Sequence, residues 1–159
     1  MVQFGGSEIS GARTLHLHHN TFHAINGYSR TVVNVRTAEE TALVNNNAMR
    51  HQAITEFRLL GSSGNATYGR NFISPNYTTP PSGVTGAVNI LTGAASPFAD
   101  DANGNYLPTA ASPLIDAALA LPSGALSITS QYQPHAQAVF RSTSGAAFDL
   151  GAFELSSPL

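Results

Sequence analysis

The segment Leu15-His16-Leu17-His18-His19 sets two imidazoles two residues apart, with His19 and His23 close behind. Residues two apart on a strand project from one face, so His16 and His18 have the spacing of a metal chelate. An ordinary strand with a polar outer face has the same pattern, and motif matches without context are mostly of that kind. His16 and His18 are therefore weak metal candidates, and no bound metal is expected. Asp100, Asp101, Asn103 and Asn105 gather several oxygens in one short loop, loosely like a calcium loop. Glycine follows Asn103 rather than Asn105 and no distal Glu completes the set, so calcium is possible but a tight surface turn is favoured. Hydrolysis by two carboxylates needs a convergent pair. The acids Glu39, Glu40, Glu56, Asp116, Asp149 and Glu154 do not announce one by their spacing.

Composition narrows the chemistry further. The 159 residues are the length of one ordinary domain, and 42% hydrophobic content is enough for a real core. Charged residues are only 10%, against roughly 25% in typical soluble domains. The surface must then be wetted by Asn, Ser, Thr and Gln. All seven basic residues are Arg, and the net charge is −2, which leaves no electrostatic footprint for nucleic acid. No apolar run approaches the length of a membrane span. Cysteine is absent, which removes disulfides, thiolate metal sites and cysteine nucleophiles. Residues 1–6 show no basic segment followed by an apolar one, so no secretory signal is visible.

The elements that would position these residues are short strands. Leu15 and Leu17 alternate with His16 and His18, as on a half-buried strand, and Val33-Asn34-Val35-Arg36 alternates likewise. The run Ala42–Met49 overlays the first: Leu15 falls on Ala42, Leu17 on Val44, Asn20 on Asn47 and Phe22 on Met49. A repeat of about 27 residues built from strands and Asn/Gly turns suggests a solenoid of four or five coils. A helix competes after Arg36, because Thr37-Ala38-Glu39-Glu40 has capping-box spacing and Ala42, Met49, Ala53, Phe57 and Leu60 share a loose helical face. Asn45-Asn46-Asn47, three weak helix formers in its middle, favours the strand. From Gly61 onward Gly, Pro, Ser and Asn mark loops between short apolar pieces, and the chain from Leu121 reads as a wrapping segment.

Three ordered motifs then carry a resemblance. Ser96-Pro97-Phe98-Ala99-Asp100-Asp101-Ala102-Asn103-Gly104-Asn105-Tyr106-Leu107 is similar to a stretch near the end of bacterial right-handed parallel β-helix repeat proteins, of the polysaccharide-lyase-like, choice-of-anchor Q type. Ala111-Ser112-Pro113-Leu114-Ile115-Asp116-Ala117 follows, as in that family, and then Arg141 with Phe148-Asp149-Leu150-Gly151-Ala152-Phe153-Glu154. His19-Asn20-Thr21-Phe22 resembles the turn that recurs once per coil. Ala118 departs from the pattern, where the family continues with Gly. The chain also resembles only the C-terminal part of longer proteins. The resemblance implies an all-β, right-handed single-stranded parallel β-helix, with coils over about residues 1–95 and a final coil and cap over about 96–159. It also implies a secreted or cell-surface location and an upstream region, or self-association through the N-terminal solenoid end.

Within that fold Asn20 stacked on Asn47 would form an amide ladder that satisfies turn backbone groups. Asp116, Arg141, Asp149 and Glu154 lie in motifs that read as structural, a turn-capping carboxylate and an Arg–carboxylate clasp. The outward residues His16, His18, Asn34, Arg36, Asn45, Glu56 and Arg58, with Tyr28 and Tyr68 as stacking platforms, suit a polymeric glycan, whose hydroxyls need donors and acceptors. The favoured expectation is a non-catalytic polysaccharide-recognising module. The resemblance also allows a polysaccharide lyase fragment. With no Lys, its base would be drawn from His16, His18, Arg36 or Arg58. A structural role, as an adhesin or filament-forming solenoid, is the third expectation.

Overall fold

Leu15 and Leu17 alternate with polar neighbours, as do Ala42 and Val44, so each segment has one apolar face to bury. The computed structural model describes residues 2–5, 12–61, 64–80, 82–133 and 137–155; the side chains of Asn26, Tyr28, Tyr132, Gln133 and Gln137 also lie outside the described residues. In chain order the strands are β1 (Val2–Phe4), β2 (Thr14–His18), β3 (Thr21–Val35), β4 (Thr41–Asn45), β5 (Ala48–Leu60), β6 (Asn65–Tyr68), β7 (Asn71–Ile73), β8 (Tyr77–Thr78), β9 (Val84–Thr85) and β10 (Ile90–Thr92). Two antiparallel hairpins follow, β11 (Phe98–Asp100) with β12 (Asn105–Pro108), and β13 (Ser130–Gln133) with β14 (Gln137–Phe140).

The chain is all-β, with two parallel sheets. One sheet has the order β2-β4-β6-β9, the other β1-β3-β5-β7-β10, with β8 beside β5. Apart from β8, chain order alternates between them, so each pass adds one strand to each sheet. The overlay read from the sequence reappears as the strand register: Leu15 pairs with Ala42, Leu17 with Val44 and Phe22 with Met49. Later passes are shorter. Partners lie 27 residues apart at Asn20 and Asn47, 24 at Asn47 and Asn71, and 18 at Thr67 and Thr85. The segment after Arg36 is not helical. Thr37–Glu40 forms a turn in which the Glu40 N–H bonds the Thr37 carbonyl, and β4 and β5 follow. The strand outcome follows from burial. Ala42 and Val44 are fully enclosed on one side of β4, which a helical path could not align with Leu15 and Leu17.

Leu17, Val44, Tyr68, Met49, Ile73, Val33 and Leu60 share the interior between the sheets. β3 and β5 are longer than most strands, at 15 and 13 residues, and both turn in mid-course. Gly27 takes φ 136° in β3, and Ala53 takes φ 51° in β5 next to Gly27's partner Ile54.

The remainder of the chain wraps the flank of these passes. Phe98, Leu114 and Leu150 bury themselves with Ala48 and Phe72 in a second apolar cluster. Each large apolar side chain so buried contributes about 1.5–3 kcal/mol. A polar hub accompanies it: Arg50 Nε, Gln52 Nε2 and Ser96 Oγ all donate to Asp101 Oδ2, at 3.2, 3.2 and 2.9 Å. Gly151 N–H bonds the Asn46 carbonyl, and Ala152 N–H bonds Thr21 Oγ1. Among the described residues no helix is long and apolar enough to cross a membrane.

Candidate functional site

Outward positions on β5 and β8 line a surface depression. The strand period turns Phe57 and Leu59 into the core and leaves Glu56 and Arg58 facing out, and register sets Thr31, Arg58 and Thr78 side by side across three strands. The result is an open groove of about 350 Å³ lined by Glu56, Arg58, Leu60, Gly61, Thr78, Thr79 and Pro80. Gly61 keeps one wall low, since a Cβ there would meet Thr31 Cγ2 at 2.8 Å and Asn34 Oδ1 at 3.3 Å. Arg58 Nη2 donates to Glu56 Oε2. That bond holds the Glu56 carboxyl below the usual carboxylate range and makes the Arg58 guanidinium hold its proton more firmly than a free one. Asn34 sits on β3 beside this groove, its Oδ1 buried without a hydrogen-bond partner, and Arg36 is exposed just past the end of β3.

The other sequence candidates lie elsewhere. His16, His18 and Asn45 face outward on β2 and β4, in the other sheet, so the single outer face expected from the sequence is two separate faces. The cause is topological: each pass divides its outward residues between the sheets. Nor is the β2–β4 face open. His16 and His18 are half-buried with Nδ1 enclosed, and Gly124 of the wrapping segment would place a Cβ 3.7 Å from His16 Nε2. Burial lowers the His18 pKa, and neighbouring His16 lowers it further. Among the described residues no three His, Cys, Asp or Glu side chains gather as a metal site. The loop oxygens are turned to other uses. Asp100 accepts from Asn103 N–H and its side-chain amide, Asp101 holds the hub, and Asn105 Oδ1 accepts from Leu107 N–H. Tyr28 stands on β3 with its side chain outside the described residues. Tyr68 is not a surface platform. It is 1% exposed, and its hydroxyl donates to the Leu59 carbonyl at 2.7 Å.

The residues read as structural occupy buried junctions. Asn47 Oδ1 accepts from Asn20 N–H and Nδ2, while Asn47 N–H and Nδ2 both donate to Asn71 Oδ1. The ladder has a third rung, Asn71, which sequence reading missed because the second repeat is shorter. Its signal was there, since Asn71-Phe72 follows Asn47-Ala48 and Asn20-Thr21 in kind. Arg141, 2% exposed, donates through Nε and Nη2 to Glu154 Oε1 and through Nη1 and Nη2 to the Gly151 and Asp149 carbonyls. The same Glu154 oxygen accepts Asp149 N–H at 2.9 Å. Asp149 in turn accepts from Asp116 N–H and Leu155 N–H, and Asp116 accepts from Ala147 N–H. Sequence reading placed His19 beside the His16–His18 pair and in a turn but did not pair it with Asn46; the two sit one residue before Asn20 and Asn47 with the same 27-residue offset.

No protein-family model, curated protein or solved structure matches the chain.

Proposed function

We propose that this chain is a right-handed parallel β-helix module that recognises a polysaccharide at the cell surface or outside the cell and does not itself cleave it. The alternation of strands between two parallel sheets supports the β-helix, as do the repeated register and the three-rung Asn ladder. Crossovers between parallel strands are right-handed in nearly all proteins. The observation that carries the function is the open polar groove on β5 and β8, where Glu56, Arg58, Thr78 and Thr79 offer fixed donors and acceptors beside Pro80. Rigid strands hold these groups, so little side-chain ordering is left to oppose binding. Arg58 is a poor base for proton abstraction because Glu56 strengthens its hold on the proton, which favours recognition over a lyase reaction in this groove.

The test is a panel of polysaccharides run on the purified chain by affinity electrophoresis, with ultraviolet absorbance followed in the same samples. Retention without new absorbance is the expected result, and Arg58→Ala with Glu56→Ala should abolish it. Retention unchanged in that double variant would remove the groove from the reading, and absorbance growth would replace recognition with lyase activity.

A further inference from the structure

His19 sits in a left-handed turn (φ 53°) between β2 and the first rung of the Asn ladder, and is 6% exposed. Its ring meets Phe148 edge-on at 5.9 Å and His18 at 6.1 Å. Its Nε2 lies 3.2 Å from Asn46 Nδ2. The orientation of that amide is fixed from the other side. Asn46 Oδ1 accepts Leu119 N–H at 3.0 Å, and Asn46 Nδ2 donates to the Leu119 carbonyl at 2.7 Å. Turning the amide over would oppose donor to donor and acceptor to acceptor at Leu119. The second hydrogen of Nδ2 therefore faces His19, and Nε2 must be the unprotonated acceptor of a neutral ring.

The charges around the ring do not favour an imidazolium. Arg141 stands over the same Phe148 ring, its guanidinium 5.3 Å from the centroid, and the His18 ring lies against His19. The nearby carboxylates are engaged elsewhere, Glu154 by Arg141 and Asp149 by the amides of Asp116 and Leu155. Only the carbonyls of Gly151 and Asp149 favour the charged form. Burial, then Arg141, then His18 together pull the His19 pKa down to about 4.

We infer that His19 is an acid-operated latch: a proton taken from solvent at Nε2 sets two N–H donors against each other and undocks the wrapping segment at Asn46. Both arms of that segment meet there, Leu119 through the amide pair and Gly151 through the Asn46 carbonyl. The chain beyond Leu119 includes Gly124, which lies against His16. Opening the latch therefore frees the segment that lies against His16 on the outer face of β2.

Amide hydrogen exchange of the intact chain tests this, read at Leu119 and Gly151 and corrected for the intrinsic pH dependence. The opening equilibrium at both amides should rise about tenfold per pH unit between roughly 6.5 and 4, the range over which an undocked His19 takes a proton and a docked one does not. The amides of Gly61 and Gly69, which bond Val33 and Val44 between strands, should open less than those of Leu119 and Gly151 throughout that range. His19→Gln, neutral at every pH, should flatten the response at Leu119 and Gly151. A flat wild-type profile overturns the latch, as does an acid response that survives in the variant. Opening at Gly61 and Gly69 equal to that at Leu119 and Gly151 also overturns it, since that is global unfolding. Should the variant not fold, NMR titration of the wild-type His19 ring decides. Protonation near pH 6 with Leu119 still protected refutes the latch, and protonation only as Leu119 opens supports it.

Discussion

Replacing Asn47 by Ala should be among the most damaging single changes in this chain. The side chain is 0% exposed and sits at the middle rung of the ladder. Its Oδ1 accepts Asn20 N–H and Asn20 Nδ2, and its Nδ2 donates to the Leu17 and Asn45 carbonyls and to Asn71 Oδ1. Alanine removes all of these and leaves the Leu17 carbonyl and Asn20 N–H without their partner. A net hydrogen bond is worth about 1 kcal/mol, and a buried group left unpaired costs about 1–3 kcal/mol. Two such groups plus the lost bonds give roughly 3–5 kcal/mol, a large part of the 5–15 kcal/mol that holds a typical domain together. At about 2–4 °C per kcal/mol for a chain of this size, the melting temperature should fall by about 6–20 °C. Asn47→Asp should be no better, because a carboxylate cannot donate and would face three oxygens. Asn20→Ala, at the half-buried end of the ladder, should cost only about 1 kcal/mol. Urea denaturation of the three variants checks the order. An Asn47→Ala cost below that of Asn20→Ala would refute the ladder as the element that joins the passes.

Four further outcomes are expected. Arg141→Met should cost about 3–5 kcal/mol by leaving Glu154 charged and enclosed, seen in denaturation and as faster proteolysis of the wrapping segment. Ala53→Gly should stabilise by about 0.5–1 kcal/mol, since alanine is held at φ 51°, and a loss of stability by calorimetry would contradict the bend placed there. Tyr68→Phe should cost about 1–3 kcal/mol by orphaning the Leu59 carbonyl, without affecting glycan retention. The pKa values of His18, His23 and His51 are lowered chiefly by burial, so their contribution to stability is complete above the unfolded value of about 6.5 and is lost as the pH falls toward the depressed folded values. Melting temperatures from pH 8 to 4 should therefore decline on the acid side, and a flat profile would contradict the burial of these rings.

The parts of the fold legible in the sequence are those where one pass repeats another without insertion or loss. Leu15, Leu17, Asn20 and Phe22 have like partners 27 residues on, and hydrophobic alternation there reports directly which face is enclosed. Asn71 escaped because the next pass is three residues shorter, so a fixed period runs past it. The candidate site was legible only in part. Period two along β5 shows that Glu56 and Arg58 share a face, but it does not say that β8 lies beside them. Tyr68 was misplaced for the same reason. Its register partner Val44 points inward, and an aromatic at an inward position of a parallel ladder must be core whatever its hydroxyl could offer a sugar.

The wrapping segment is a different matter, because its contacts depend on chemistry rather than period. A buried Asn with both faces of its amide engaged has one orientation, and that orientation sets the protonation state of the His beside it. His19 and Asn46 look like turn residues when read singly. Read as a pair 27 residues apart, preceding a ladder that is itself 27 residues apart, they stand at the same height on adjacent passes, where an imidazole and an amide must share one hydrogen bond. The repeat therefore fixes more than the strands. It also brings a titratable ring against the Asn46 side chain that docks Leu119 of the wrapping segment, and so makes that docking depend on pH.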